Sequence, residues 1–341
     1  MATQTQTGGP TPQLFFQTAN AYQQTEALKA AIELDLFTAI AEGKDTAQAL
    51  AQRCAVAERG ARILADYLTI QGFLIKEGNR YKLTPDSAVF LDRKSPAYMG
   101  SVMGFLQAPK FTEAFQNLTG AVRKGGTVAG DSGTVAPEHP LWVEFAKSMI
   151  PMMAKPAEEI AVLVSQSQPR VNKVLDIAAG HGLFGIAVLR ANPNAKVTAV
   201  DWKNVLEVAR ENGEKFGVAE RYNTLPGSIF DVDIGSGYDL VLIPNFLHHF
   251  DVETNEKLLR KLYAALVPGG RVATLEFVPN DDRVSPPMPA TFALIMLADT
   301  PSGDAYTRAE LESMMRNAGF TTNVFHPMPP SPHSVLISRR E

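Results

Sequence analysis

The stretch VLDIAAGHGLFG, residues 174–185, decides the fold, because an apolar run ends there in a turn rich in glycine. Gly180, Gly182 and Gly185 form G-x-G-x-x-G, a pattern typical of tight turns that join a strand to a helix beside a nucleotide. A second pattern, D-x-A-x-G-x-G from Asp176 to Gly182, overlaps the first. The stretch therefore predicts a strand, a turn and a helix, and it leaves the class of ligand open.

Strand and helix signals alternate after residue 171. The runs GYDLVLI and GGRVATLEF are almost entirely apolar, which is typical of parallel strands covered on both faces. Amphipathic segments between such runs predict helices, one of which we extend through NEKLLRKLYAALVPGG, residues 255–270. The repeated units predict an α/β fold with a doubly wound, mostly parallel sheet.

The preceding part of the chain, residues 14–98, is rich in helix signals and contains a predicted hairpin. Two short helices are followed by FLIKEGNRYKLT, which alternates around Gly78 and Asn79. Helix, helix and hairpin predict a winged helix. Residues 44–94 hold nine Lys and Arg against six Asp and Glu, and the second helix lacks the basic face of a DNA-recognition helix. We therefore predict a structural or dimerising role and keep DNA binding as an alternative.

Residues 99–165 are predicted to form a helical linker and lid. The loop VRKGGTVAGDSGTVAPEHP is rich in Gly, Pro and small polar residues, as expected of a domain junction or a lid. The helices that follow are predicted to break near Pro151 and Pro156. Met149 and Met153 lie in this region with a third methionine, and the cluster either fills the core or lines a pocket for a flat apolar ligand.

The composition excludes several classes of protein. The 341 residues are 45% hydrophobic and 20% charged, and the net charge of −4 argues against nucleic acid or an anionic membrane as a partner. The one cysteine, Cys54, cannot form an internal disulfide. Residues 1–13 are predicted to be a disordered tail without a signal-peptide pattern, and no apolar run approaches the ~20 residues of a membrane span. We therefore predict a cytoplasmic protein.

In a doubly wound sheet the ligand lies beyond the carboxyl ends of the strands. Asp201 ends the second predicted strand, nineteen residues after Gly182, and its two acceptor oxygens suit the diol of a ribose. NAD and S-adenosylmethionine both contain that ribose. Asp176 favours S-adenosylmethionine, because a carboxylate repels a pyrophosphate and attracts an ammonium and a sulfonium group. The alternative is that Asp176 only caps the helix after the turn.

The segment NFLHHFD, residues 245–251, follows a predicted strand and carries two adjacent histidines. Adjacent side chains at a helix start point about 100° apart, so we expect only one of His248 and His249 to face the cleft. That histidine is a candidate general base, and the other is predicted to be structural. A hydrogen-bonded scaffold histidine is the alternative for the candidate base as well.

Together, these segments resemble one enzyme family. From about Leu14 to the C-terminus the chain resembles the S-adenosylmethionine-dependent O-methyltransferases of the plant caffeate and bacterial small-molecule type, including hydroxyindole O-methyltransferase-like proteins. The segments that carry the resemblance are ELDLFTAI, VLDIAAGHG, VDW, GSIF, NFLHHF, LVPGG with TLEFVP, and MLADTPSGDAYTRAELESMMRNAGF. The resemblance implies a winged-helix dimerisation domain at residues 14–98, a Rossmann-like methyltransferase domain at residues 166–341, and a homodimer.

The resemblance also implies roles for individual residues. His248 takes the place of the family's catalytic base, and Glu276 takes that of a carboxylate that orients the base. The positions assigned to the cofactor are Asp176, Gly180, Gly182, Asp201, Trp202, Ser228, Ile229, Phe230 and Asn245. The positions assigned to the acceptor are Met149, Met153, Met296 and Asp299. The chain departs from the family pattern at Ala178, Ser228, Pro244, His249 and Ala305, and no metal is implied.

The implied function is transfer of a methyl group from S-adenosylmethionine to a hydroxyl of a small aromatic or apolar acceptor. The first alternative is methylation of carbon or nitrogen, or a family member with other chemistry, because His249 and Ala305 depart from the family pattern. The second is a ligand-responsive winged-helix protein that binds DNA.

Overall fold

The computed structural model of the chain describes residues 9–130, 133, 138, 141–166 and 170–341. The chain forms two compact units, Met1–Met103 and Gly104–Glu341. Much of the predicted tail, residues 1–13, lies outside the described residues, and so does most of the predicted lid loop between residues 131 and 140. Within the described ranges, no helix has both the length and the apolar character needed to cross a membrane.

The first unit contains helices and a hairpin in the predicted order. Its elements are α1 (Gln13–Ala19), α2 (Ala21–Glu33), α3 (Leu36–Ala41), α4 (Ala47–Cys54), α5 (Glu58–Ile70), β1 (Leu74–Glu77), β2 (Arg80–Leu83) and α6 (Pro85–Phe90). Thr46 caps α4 by accepting a hydrogen bond from the amide of Ala49. The buried side chains of Leu50, Leu68 and Tyr81 place α4, α5 and the hairpin in one hydrophobic core. The winged helix expected from the sequence is present.

Most basic side chains of this winged helix are paired with acidic ones. Asp66 on α5 accepts hydrogen bonds from Arg62 and from the hydroxyl of Tyr81, which ties α5 to the hairpin. Seven of the nine basic residues between positions 44 and 94 form ion pairs, namely Arg53, Arg62, Lys76, Arg80, Lys82, Arg93 and Lys94. These pairs leave little free positive charge to contact a phosphate backbone.

The second unit consists of a seven-stranded sheet and the helices that pack around it. After α7 (Val102–Leu106), whose residues straddle the division between the units, come α8 (Pro109–Gln116), α9 (Leu118–Lys124), α10 (Leu141–Ser148) and α11 (Ile150–Ser165). The remaining elements are β3 (Lys173–Ile177), α12 (Leu183–Ala191), β4 (Lys196–Asp201), α13 (Lys203–Lys215), β5 (Tyr222–Pro226), β6 (Tyr238–Pro244), α14 (Val252–Ala265), β7 (Leu266–Phe277), α15 (Pro287–Asp299), α16 (Arg308–Asn317), β8 (Thr322–Pro327) and β9 (His333–Arg339).

The strands lie in the order β5-β4-β3-β6-β7-β9-β8, so the sheet is doubly wound, as predicted. The first five of these strands are parallel, and β9 and β8 extend the sheet in antiparallel fashion. The sequence pattern does not reveal β5, β8 or β9. β5 buries only Tyr222 and β8 buries no residue fully, so neither forms an apolar run. In β9 the apolar run is short, and buried His333 and Ser334 precede it.

Two predicted helix boundaries are wrong. Pro156 lies inside α11 and does not break it. Its side chain is buried and α11 packs against α12, so packing outweighs the loss of one backbone hydrogen bond. α14 ends at Ala265 and does not continue through residues 266–270, which begin β7. The proline in that stretch disfavours a helix, and Leu266 pairs with Tyr238 in the sheet.

The glycine turn between β3 and α12 needs a left-handed backbone at three positions. Ala178, Gly180 and Gly182 have φ angles of +50°, +55° and +76°. A Cβ atom at Gly182 would lie 2.7 Å from the hydroxyl oxygen of Tyr222, and one at Gly185 would lie 2.7 Å from a buried carboxylate oxygen. The glycine pattern thus meets the needs of the turn itself, through backbone conformation and close packing.

Exchanges of alanine and glycine within this turn should have opposite effects. We expect Gly182→Ala to lower the free energy of unfolding by about 2–3 kcal/mol, because the new Cβ adds a close contact to a disfavoured φ angle. Ala178→Gly should raise it by up to about 1 kcal/mol, because glycine adopts the left-handed conformation without the penalty that alanine carries. Urea unfolding followed by circular dichroism measures both values. Similar destabilisation by the two exchanges would contradict the strain assigned to Ala178.

Candidate active site

A cavity of about 750 Å³ lies in the second unit, where the loops after β3, β4, β5, β6 and β7 meet. This volume is within the range of sites that bury a small organic ligand. α8, α10, α11 and α15 complete the wall. Many of the lining residues are aromatic or methionine: Phe105, Phe111, Phe115, Trp142, Phe145, Met149, Met152, Met153, Phe184, Phe277, Met288, Phe292 and Met296.

Asp176 lies beneath the glycine turn and does not line the cavity. Its side chain is fully buried, and its Oδ2 accepts a hydrogen bond from the amide of Gly185 at 3.0 Å. Gly185 is the third residue of α12, so Asp176 helps to cap this helix, as the alternative interpretation of the sequence holds. Burial raises the pKa of Asp176 well above its ordinary value. Gly182 also lies outside the cavity wall, whereas Gly180 lines the cavity.

Asp201 ends β4 and lines the cavity beside the turn. Its Oδ2 accepts a hydrogen bond from the amide of Gly180 at 2.8 Å, and its Oδ1 accepts one from the amide of Trp202 at 2.6 Å. Burial raises the pKa of Asp201 to about 6 despite these two hydrogen bonds. Each carboxylate oxygen can accept a further hydrogen bond, so Asp201 remains able to bind a diol. Trp202 lines the cavity as well.

Four backbone amides of the turn are bound to groups of the protein. The amide of Gly182 donates to the carbonyl of Ala179 at 2.7 Å. The amide of Leu183 donates to Nδ1 of His181 at 3.1 Å. Two further amides are held by the two carboxylates just described. A phosphate at a helix N-terminus needs free amides, so this turn suits a phosphate-free ligand better than a dinucleotide.

The segment after β5 forms another side of the cavity. Ser228, Ile229 and Phe230 all line it. Oγ of Ser228 accepts a hydrogen bond from the amide of Phe230 at 3.2 Å. Nζ of Lys261 donates to the carbonyl oxygens of Ile229 at 2.7 Å and Val232 at 2.8 Å. The backbone of this segment is therefore fixed from behind, and its side chains form part of the cavity wall.

Glu276, near the end of β7, organises the turn that carries the two histidines. Its Oε1 accepts hydrogen bonds from the amides of Phe246 at 3.0 Å and Leu247 at 2.8 Å. Its Oε2 lies 2.5 Å from Nδ1 of His248, and both side chains are buried. Since a carboxylate accepts, Nδ1 carries the hydrogen of this bond and Nε2 of His248 is left as an acceptor. Asn245, which lines the cavity at the start of the turn, has a left-handed φ of +53°.

Both histidines line the cavity, so the prediction that only one faces it is wrong. They belong to a short 3₁₀ helix, Leu247–His249, and their ring centroids are 4.3 Å apart. The ring centroid of His248 lies 4.8 Å from that of Phe292, and the ring centroid of His249 lies 5.5 Å from that of Trp142. The cavity extends around the turn from α15 to α10, so side chains with different directions both reach it. Burial, followed by the charge of His248, lowers the pKa of His249 well below its ordinary value.

All four positions assigned to an acceptor line the cavity. Met149, Met153 and Met296 are at most 8% exposed, so these side chains are core residues that also form part of the cavity wall. Asp299 is buried at the end of α15. Burial raises the pKa of Asp299 to about 7, although the charge of Lys110 acts in the opposite direction.

Some cavity residues carry no signal in the sequence. His333 on β9 lines the cavity and lies opposite Phe277 of β7, with the two ring centroids 4.1 Å apart. Phe277 in turn stacks on Phe292 at 4.1 Å. The pairing of β7 with β9 brings these residues together, and a local pattern does not reveal it. Trp142 and Phe145 could have been found from the apolar face of α10.

Comparison with known proteins identifies the family. The O-methyltransferase domain family matches residues 153–321, and the O-methyltransferase dimerisation domain family matches residues 16–93. The 3-hydroxy-5-methyl-1-naphthoate 3-O-methyltransferase of Streptomyces sahachiroi is 31% identical over 316 residues, which cover 90% of this chain and 89% of that protein.

Solved structures show the same relationship. A crystal structure of a candidate O-methyltransferase from Nostoc punctiforme is 55% identical with a TM-score of 0.95, and the match covers 97% of this chain and 100% of that one. Human N-acetylserotonin methyltransferase, solved in complex with S-adenosylmethionine, has the same fold, with a TM-score of 0.82 at 20% identity over 99% of both chains. The chain therefore belongs to the S-adenosylmethionine-dependent O-methyltransferase family, and its cofactor is S-adenosylmethionine.

Proposed function

We propose that this enzyme methylates a hydroxyl of a small aromatic or similarly apolar acceptor, and that His248 is its general base. The observation that carries the proposal is the hydrogen bond between His248 and Glu276 in the wall of a largely aromatic cavity. This bond holds the imidazole in one orientation and leaves Nε2 to accept a proton from the hydroxyl.

We assign the cofactor to the side of the cavity formed by the glycine turn and by the segments after β4, β5 and β6. The residues inferred to contact it are Gly180, Asp201, Trp202, Ser228, Ile229, Phe230 and Asn245, all of which line the cavity. Asp176 and Gly182 support the turn from beneath. The Asp201 carboxylate suits ribose hydroxyls, and the occupied amides suit a ligand without phosphate. When bound, S-adenosylmethionine supplies a methyl group on a positively charged sulfur.

The ordinary pKa values of phenols and imidazoles constrain the role of a histidine base. Full transfer of a proton from a phenol with a pKa near 10 to an imidazole with a pKa near 6.5 costs about 5 kcal/mol. We therefore expect the proton to move to His248 while the oxygen attacks, not beforehand. Glu276 stabilises the imidazolium that forms, because its carboxylate accepts the Nδ1 hydrogen bond. Positioning of the hydroxyl by the cavity wall contributes further to the rate.

The proposed acceptor side of the cavity is lined by Met149, Met153, Met296 and Asp299, together with Phe292. Thioether and aromatic side chains offer polarizable apolar surface, which favours a flat aromatic ring. The contact between the rings of Phe292 and His248 supports an acceptor ring that lies along this wall with its hydroxyl towards the base.

We further propose that the enzyme is a homodimer that associates through its first unit. The dimerisation-domain match supports this, and so do the large apolar side chains exposed there, namely Leu14, Phe15, Phe16, Tyr22, Ile63, Ile70 and Ile75. The proposed domains are the dimerisation domain at residues 14–98, the linker and lid at 99–165, and the catalytic domain at 166–341. The cytoplasmic location and the lack of a nucleic-acid partner stay predictions.

Methylation of nitrogen is the second candidate, and His249 is the observation that favours it. An amine that is protonated in water must lose a proton before it attacks. The ring of His249 lies 4.3 Å from that of His248, so the cavity wall holds a second imidazole beside the proposed base. Nuclear magnetic resonance of the methylated product distinguishes oxygen, nitrogen and carbon as the methylated atom.

Removal of the proposed base should strongly lower turnover and spare cofactor binding. We expect His248→Ala to lower kcat by about 10²- to 10⁴-fold, which is the usual contribution of a general base. Calorimetry should show a dissociation constant for S-adenosylmethionine close to that of the unaltered enzyme. His326→Ala, which removes a histidine of β8 outside the cavity wall, is the matched control and should retain activity. Unchanged turnover by the His248 variant would exclude this residue as the base.

Cofactor affinity should depend on pH through Asp201. Ribose hydroxyls donate more strongly to a charged carboxylate, so protonation of Asp201 weakens binding as the pH falls through about 6. If binding requires the ionised carboxylate, the dissociation constant should rise about tenfold between neutral pH and pH about 5. Asp201→Asn should bind more weakly at neutral pH and lose this dependence. Calorimetric titrations at several pH values test both points, and a constant affinity for the unaltered enzyme would contradict the assigned contact.

A further inference from the structure

The described wall of the cavity contains negatively charged side chains and no Lys or Arg. Its carboxylates are those of Asp201, Asp231 and Asp299. Asp201 is the last residue of β4 and Asp231 follows β5, both on the proposed cofactor side. Asp299 lies at the end of α15 on the acceptor side. The acceptor side is therefore a predominantly aromatic surface with an acidic group.

The imidazoles of the cavity add little positive charge at neutral pH. Burial lowers the pKa values of His181 and His333 to about 4. His249 has its pKa lowered well below the ordinary value for the same reason. His248 is hydrogen-bonded to the carboxylate of Glu276, so that this pair has no net positive charge even when the imidazole is protonated.

Lys110 is the basic residue whose charge acts on Asp299. Its Nζ donates to the carbonyl of Gly133 at 2.9 Å, and Lys110 is not among the described lining residues. Residues 125–146, some of which lie outside the described ranges, contain neither Lys nor Arg in sequence. An anionic acceptor would thus meet a carboxylate in the cavity. The described wall holds no cationic side chain that could balance the negative charge of the acceptor.

We propose that the acceptor is an uncharged aromatic hydroxyl compound and that the cavity excludes phenols bearing a carboxylate, sulfate or phosphate group. The inference rests on the proposed function and adds the charge of the acceptor to it. An anion that enters a largely aromatic cavity loses its hydration, and only positive charge or several hydrogen-bond donors compensate for that loss. The carboxylate of Glu276, and that of Asp299 in its ionised form, add like-charge repulsion.

Matched acids and esters test the inference directly. A panel of hydroxybenzoic, hydroxyphenylpropanoic and hydroxynaphthoic acids is compared with the corresponding methyl esters at a pH above the pKa of about 7 of Asp299, so that this carboxylate is ionised. In the hydroxyphenylpropanoic pair a saturated spacer separates the carboxyl group from the ring, so the phenol has nearly the same pKa in both compounds. We expect kcat/KM for the ester to exceed that for the acid by about 100-fold or more. Equal values, or a preference for the acid, would overturn the inference.

Variants of α15 identify the source of the preference. Asp299→Asn should reduce the preference for the ester about tenfold, because it removes the acidic charge and keeps the shape of the side chain. Thr291→Lys should also improve the acid relative to the ester, since Thr291 is an exposed residue of α15 that lines the cavity. Asp281→Asn, the same exchange at an exposed position outside the described wall, is the control and should retain the preference. A preference that is unchanged in both α15 variants would contradict the electrostatic cause.

Binding separates this inference from the proposed function. If no member of the panel is methylated, transfer to a phenolic hydroxyl fails, and calorimetry of each pair in the presence of S-adenosylhomocysteine then tests the charge preference. Tighter binding of the esters supports an uncharged acceptor, and equal or tighter binding of the acids overturns it. A panel in which no ester reacts or binds contradicts both proposals.

Discussion

Glu276 is a buried carboxylate that accepts hydrogen bonds from three groups of one turn: the amides of Phe246 and Leu247 and the ring of His248. A carboxylate removed from water is costly unless such donors surround it, so Glu276 and the turn hold each other in place. The pairing of β6 with β7 brings Glu276 to the turn, because the parallel register aligns the ends of these strands. The position of the proposed base therefore depends on the sheet as well as on its own loop.

Two more buried carboxylates have the same effect at the glycine turn. Asp176 holds the amide of Gly185 from below, and Asp201 holds the amide of Gly180 from the side. In a phosphate-binding turn these donors would face the ligand. Here they stabilise the loop, and the cavity beside it suits a cofactor that carries positive charge and no phosphate.

An aromatic wall connects these two turns to the proposed acceptor side of the cavity. Phe292 contacts His248 and stacks on Phe277, which contacts His333, so four rings extend from the proposed base to β9. The wall offers dispersion and ring stacking to an acceptor and few polar groups that could replace the hydration of a charge. The same burial that lowers the pKa of His333 disfavours a charged ligand nearby.

Local patterns in the chain predicted the alternation of strands and helices, the glycine turn, and the positions of Asp201 and His248 after their strands. These features follow from short-range rules, because a strand covered on both faces must be apolar and a tight turn must contain glycine.

The role of Glu276 came only from the resemblance to a family. The strands β5, β8 and β9, and with them His333, became visible only through pairing with distant segments. Tertiary structure decided two orientations: Asp176 turns towards α12, and His249 reaches the cavity beside His248. The direction of a side chain at a turn depends on the distant groups that pack and hydrogen-bond around it.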